Sequence, residues 1–184
     1  MGKYLFLLFL ALGLQVCKAQ DIFMSKKAEI SFFSEARLED IEAVSKEAQC
    51  VLNVATKELI VKVKIKTFHF TNGLMEEHFN ETYLESDKYP DAIFKGLILE
   101  KIDKTINKDY NITALGTLTL HGISEARTIT GKILVKDGVI SLIAEFLIPV
   151  SDYKIDIPND KLSNISQDIK IKINSRNEPF SKSK

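Results

Sequence analysis

Apolar and polar residues alternate along most of this chain. Val61, Val63 and Ile65 are interleaved with Lys62, Lys64 and Lys66, the pattern of a strand with one dry and one wet face. Past Thr67 the parity slips, because Phe68 and Phe70 fall on even positions. A bulge or sharp bend near Thr67 would return both rings to the inside; alternatively the strand leaves the sheet there. Ala92, Phe94, Gly96 and Ile98 share one parity. Ile112, Ala114, Gly116, Leu118 and Leu120 share another, opposite Thr113, Thr117 and Thr119, and Ile129, Gly131, Ile133 and Val135 form a further set. Lys136-Asp137-Gly138 supplies a hairpin turn, with Gly138 free to take positive φ. Ile140, Leu142, Ala144, Phe146 and Ile148 return, and Pro149 ends that strand. Ile169, Ile171 and Ile173, between Lys170 and Lys172, make the last one. Ala28 to Phe33 and Glu42 to Leu52 supply two more, and the polar tail Ser175 to Lys184 is expected to fray.

One stretch breaks the rhythm. Gly73 to Leu84 places Met75, Phe79 and Tyr83 four residues apart, with Glu76, Glu77, Asn80 and Glu81 mostly elsewhere. That spacing predicts a short amphipathic helix, which Pro90 prevents from running on.

About eight strands with one short helical insert predict an all-β domain, either a closed antiparallel barrel or a sandwich. A barrel of that size is just wide enough for side chains or one slender ligand. Ala92, Gly96, Ala114, Gly116, Gly131 and Ala144 lie on the apolar parity of their strands. Small inward residues leave volume that a dense core would fill, so the pattern predicts interior space. Glycine at a strand bend is the competing explanation.

The first residues have a different character. Lys3 precedes the almost wholly apolar run Tyr4 to Leu14, and Val16-Cys17-Lys18-Ala19 follows. This predicts a secretory signal over residues 1–19, cut after Ala19, and a periplasmic or secreted protein whose single domain occupies residues 20–184. Lipoprotein anchoring at Cys17 is the alternative, against which Val16 stands where a small residue is expected. Nothing after Ala19 is apolar for long enough to form a membrane-spanning helix. The whole chain balances 25 basic against 25 acidic residues, and loss of Lys3 and Lys18 leaves a slight acidic excess. A basic groove for nucleic acid is therefore not expected. Cys50 is the one cysteine left after the signal; it reads as a small buried apolar residue, and no intrachain disulfide is available. Sequons at Asn80, Asn111 and Asn164 matter only in a eukaryotic source and are read as chance.

Candidate chemistry is sparse. There is no nucleophile elbow, phosphate loop or His-Glu-x-x-His. His69, His78 and His121 lack the short spacing of a metal site and read as separate hydrogen-bonded or surface histidines. His121 follows Leu118 and Leu120 and precedes Gly122 at a strand end, where fixing the turn by hydrogen bonding is the expected role. Neither a metal nor a cofactor is expected.

Three motifs stand in order: His78-Phe79 after acidic residues in the helix, Tyr89-Pro90 followed by Ala92 to Lys95, and Leu118 to Ser124. Together, behind a signal and within an alternating chain, they resemble the YceI family of polyisoprenoid-binding proteins. The likeness runs roughly from Glu29 to Ile173. It departs from the family where an arginine would precede the helix acidic residues; Leu74 and Met75 stand there. The resemblance implies a lipocalin-like barrel holding a long-chain apolar lipid, isoprenoid or fatty-acyl in type. The candidate lining is Phe68, Phe70, Phe79, Tyr83, Phe94, Ile98, Leu118, Leu120, Ile133, Leu142, Phe146 and Ile148, with Phe79 and Tyr83 capping an entrance. The expected function is an exported, non-enzymatic lipid carrier. Two alternatives are a filled barrel serving as an interaction module and a lipid-modifying enzyme using His121 or His78. Pairing of two barrels as a homodimer is left open.

Overall fold

In the computed structural model, residues 21–35, 40–157 and 165–180 are described. The expected signal, Cys17 and the Asn164 sequon lie outside those residues. Among the described residues nine strands follow one another: β1 (Ile22–Ser34), β2 (Ile41–Asn53), β3 (Glu58–Lys64), β4 (His69–Phe70), β5 (Asp91–Ile98), β6 (Lys108–Leu120), β7 (Ile123–Lys136), β8 (Val139–Pro149) and β9 (Asp168–Pro179). Every pairing is antiparallel. The sheet runs β1-β9-β8-β7-β6-β5-β3-β2, and β1 also pairs with β2. That last pairing closes an eight-stranded barrel and decides against the sandwich. Closure gives each of the eight long strands a neighbour on both sides, and the two-residue β4 hangs on β2, through Ala43↔Phe70 and Val44↔His69.

The parity slip at Thr67 is a turn rather than a bulge. A 3₁₀ turn, Ile65–Thr67, ends β3, and Thr67 Oγ1 donates to the Lys64 carbonyl at 2.7 Å. The turn rotates the chain so that Val61, Val63, Phe68 and Phe70 all face inward despite their opposite parities. The expected helix forms as α1 (Gly73–His78), capped by Asn72 Oδ1 accepting from Leu74 N at 2.9 Å, and continues as a π-helical turn, Phe79–Tyr83. Among the described residues, no helix is long and apolar enough to cross a membrane.

Two expectations are corrected. The tail does not fray at Ser175: β9 runs to Pro179, and Ser175 and Asn177 are inward-facing and fully buried. Ser175 Oγ donates to Asn177 Oδ1 at 2.8 Å and Asn177 Nδ2 donates to the Ile140 carbonyl at 3.0 Å. The alternation simply continues with polar residues that satisfy one another. Nor do the inward glycines leave space. Gly96 and Gly116 are cross-strand partners, and a Cβ on either would lie 2.8 Å from Phe94 Cζ. The bare pair is the seat of the Phe94 ring. A Cβ on Gly131 would meet the Ile143 carbonyl at 2.6 Å.

The barrel is filled at one end and open at the other. Leu52, Ile98, Ile133, Ile140 and Leu142 fill the closed end with no more than 3% exposure. Toward the open end β7 and β8 part company: β8 pairs with β7 only from Gly131 to Lys136, while the β6–β7 hairpin runs on to Leu120 and Ile123. The segment after β8 packs into that gap. It begins with a 3₁₀ turn, Val150–Tyr153, and the wholly buried Tyr153 is its anchor.

Candidate binding cavity

The open half of the barrel encloses an apolar cavity of about 430 Å³. Ile30, Phe32 and Ser34 of β1, Val61 and Val63 of β3, and Ile169, Ile171 and Ile173 of β9 line its walls. Val150, Ile155 and Ile157 complete the wall where β7 and β8 separate. Met75, His78, Phe79, Tyr83 and Leu84, from the helical insert, close over it. Phe79 is the centre of a cluster of rings. It stacks on Phe32 with centroids 5.2 Å apart and stands 5.8 Å from Phe68 and 5.1 Å from Phe70. Offset and edge-on aromatic contacts of this kind hold the insert to the barrel.

Of the twelve candidate lining residues, the cavity gathers Phe68, Phe70, Phe79, Tyr83, Phe94, Leu118, Leu120, Phe146 and Ile148. Ile98, Ile133 and Leu142 are not among its lining. They have the right parity but stand on the filled side of Phe94, where 0–3% exposure marks them as close-packed core. Parity reports which face of a strand a residue occupies, not how far along the barrel it lies. The isoleucines of β9 and of the 150–157 segment were missed as lining. Their signal was the alternation Ile169-Ile171-Ile173 and Ile155-Ile157, which does not reveal which end of the barrel stays empty.

The polar residues of the motifs build the frame around this cavity. His121 and Gly122 are the two central residues of the β6–β7 turn, with φ of 50° and 73°. Two consecutive positive φ values define the turn that matches the natural twist of a hairpin. His121 Nδ1 donates to the Tyr153 carbonyl at 3.0 Å, and Nε2 meets Glu85 Oε2 at 2.9 Å. A carbonyl only accepts, so Nδ1 carries the proton. The Tyr89 ring packs edge-on against His121 at 4.6 Å. One imidazole thus ties the β6–β7 turn, the stretch following the helix and the segment filling the β7–β8 gap. Its hydrogen bond holds the Glu85 carboxyl below the usual carboxylate range, helped by Lys88. Arg127 of β7 adds a second tie, donating from Nε to Tyr153 Oη at 3.1 Å and pairing with Asp152.

The histidines are therefore separate. His121 is part of this frame and is not in the cavity wall; His78 borders the cavity but is exposed; His69 is on the surface, 3.6 Å from Glu76. The pair of a histidine with a carboxylate and the histidine that faces the cavity are different residues. Among the described residues no group of three or more metal-ligating side chains comes together. Cys50 lies in the filled end, beside Ser175 and Asn177, where burial pushes its thiol up to about 11.

A sequence profile of the YceI-like domain matches residues 22–176. The chain belongs to the YceI-like family. The solved structures agree with that membership. A polyisoprenoid-binding domain from Saccharophagus degradans, implicated in plant cell wall breakdown, superposes with a TM-score of 0.74 at 12% identity, covering 88% of this chain and 100% of that one. BcnA of Burkholderia cenocepacia gives 0.68 at 16% identity, with 82% and 96% covered. The YceI protein of Campylobacter jejuni gives 0.62 at 25% identity, with 79% and 90% covered. No curated protein sequence matches this YceI-like chain. At these identities the shared feature is the barrel, and the cavity has to be judged on its own residues.

Proposed function

We propose that this YceI-like protein is an exported, non-catalytic carrier that holds the tail of a long-chain apolar lipid, isoprenoid or fatty-acyl in type, inside its barrel. The observation that carries the reading is the cavity itself: about 430 Å³ walled almost entirely by Ile, Leu, Val and Phe side chains. Buried apolar surface is worth roughly 25 cal/mol per Å², so an empty wall of this kind gains from any tail that fills it. Specificity for one tail over another is weak in such a wall, since a methylene is worth only about 1 kcal/mol. The Saccharophagus degradans domain, described as polyisoprenoid-binding, supports the ligand class. The apolar run Tyr4 to Leu14 behind Lys3 supports export. Balanced charge gives no attraction for nucleic acid.

The test is native mass spectrometry of the protein purified from its own compartment, followed by organic extraction of whatever is released. One long-chain lipid per protein is the expected result. An empty protein that also fails to take up a fluorescent prenyl or acyl probe would overturn the carrier. Attention would then pass to the outer face of β5 and β6, where Leu97 and Leu115 are direct partners and about half exposed, as the surface of an interaction module.

A further inference from the structure

The cavity is blind, and on the neighbouring strands β5 and β6 its depth ends at one level. On β5, Ala92 and Phe94 face the space and Gly96 and Ile98 do not; on β6, Leu120 and Leu118 face it and Gly116 and Ala114 do not. On β8 the change falls between Phe146 and Ala144, and on β9 between Ile173 and the buried Ser175. β9 lines the space one step deeper than β8, because Ile173 is the partner of Ala144, whereas on β5 and β6 the register aligns the two ends, Phe94↔Leu118 and Gly96↔Gly116. At that level the Phe94 ring lies across the bare backbone of the Gly96–Gly116 pair. Its Cζ is 2.8 Å from where a Cβ of either glycine would stand. A side chain on either position would collide with the partner strand's backbone, at the Leu115 or Lys95 carbonyl, as well as with the ring. With two glycines there, the tip of the ring fits against the backbone pair, and the ring forms the floor beside Leu118.

Resting on the reading that the cavity holds an apolar tail, we infer that Phe94, seated on Gly96 and Gly116, sets the length of tail the protein takes. If each tail carbon needs roughly the 30 Å³ of a water in the liquid, about 430 Å³ accommodates on the order of 14 carbons. That length corresponds to a medium-to-long acyl chain or to about three isoprene units. Anything longer leaves its remainder in the mouth, beside the helical insert, where it gains little from the walls. The ring is also a removable part of the floor. Without it the trough over the two glycines joins the cavity, because neither glycine carries atoms to refill it.

The experiment is displacement of the fluorophore N-phenyl-1-naphthylamine by saturated fatty acids of about 10 to about 20 carbons, each kept below its aggregation concentration. For the full protein, affinity should rise about fourfold per added methylene and then level off near the length that fills the cavity. Phe94→Ala should move the break outward by on the order of three carbons. Phe94→Leu, which keeps more of the packing, should move it outward by less. Ile98→Val, on the far side of the floor, should leave it where it was. A break at the same length in wild type and in both Phe94 variants would overturn the ruler while leaving the carrier intact. So would affinity that climbs without a break. If neither the fluorophore nor any acid binds any of the proteins, the carrier reading fails, and the ruler with it.

Discussion

His121 shows how much one side chain can hold. Its ring nitrogens reach Tyr153 and Glu85, and Tyr89 packs against its face. The residue beside it, Gly122, has φ of 73°, and a Cβ there would lie 2.6 Å from Tyr89 Cε1. Gly138 has φ of 78° in the β7–β8 turn, but nothing stands within 4 Å of its missing Cβ. Gly138→Ala should therefore cost only the left-handed conformation, about 1–2 kcal/mol. Gly122→Ala should cost more, since ring and backbone must both move; denaturant unfolding of the two variants side by side measures the difference. Glu85 makes a prediction about pH. Its folded carboxyl titrates below its unfolded one, so it adds stability at neutral pH that is lost as pH falls through the folded value. Glu85→Gln should flatten that part of the acid limb in a pH series of unfolding midpoints. The buried Cys50 thiol, raised to about 11, should resist alkylation near pH 8 in the native protein and react readily once denaturant opens the barrel.

The insert and the gap-filling segment are what make a barrel into a container. The α1 helix is only one and a half turns long, too short to be stable alone. It stays because Phe79 stacks into the Phe32, Phe68 and Phe70 cluster. The 150–157 segment stays because Arg127 and His121 both bind Tyr153. Arg127→Ala leaves Tyr153 Oη buried without its donor, for which a loss of about 1–3 kcal/mol is expected. Limited proteolysis should show the 150–157 segment cut sooner in that variant than in wild type. The helix was legible from Met75, Phe79 and Tyr83, because spacing alone places them on one side. The gap was not: β8 stays paired with β9 up to Pro149 but leaves β7 above Gly131, and no local pattern encodes where one side of a strand loses its neighbour.

At the scale of the molecule, an eight-stranded barrel filled at one end and empty at the other can bind without changing shape. A ligand present at about 100 times its Kd adds about 2.7 kcal/mol to the stability of a folded state that alone binds it. Stripping co-purified lipid with organic solvent and refolding should therefore lower the thermal midpoint by several degrees, and adding back a tail of fitting length should restore it. Failure of every tested tail to raise the midpoint of the stripped protein would count against the carrier.

By itself the sequence determined that the chain is built of alternating strands with one helical insert, which face of each strand points inward, and that a histidine-glycine turn ends β6. Those are local matters, set by period-2 patterning, by turn chemistry and by the spacing of a few aromatic residues. Tertiary structure alone decided three things. Pairing of β1 with both β2 and β9 made the sheet a barrel rather than a sandwich. The register placed Phe94 on Gly96 and Gly116, so glycines that suggested empty space became the bed of a ring. The same register put Ile98, Ile133 and Leu142 below that ring and the isoleucines of β9 above it. Side-chain parity has no coordinate along the barrel axis, and whether an inward residue meets a neighbour or a cavity is fixed only when all eight strands are aligned.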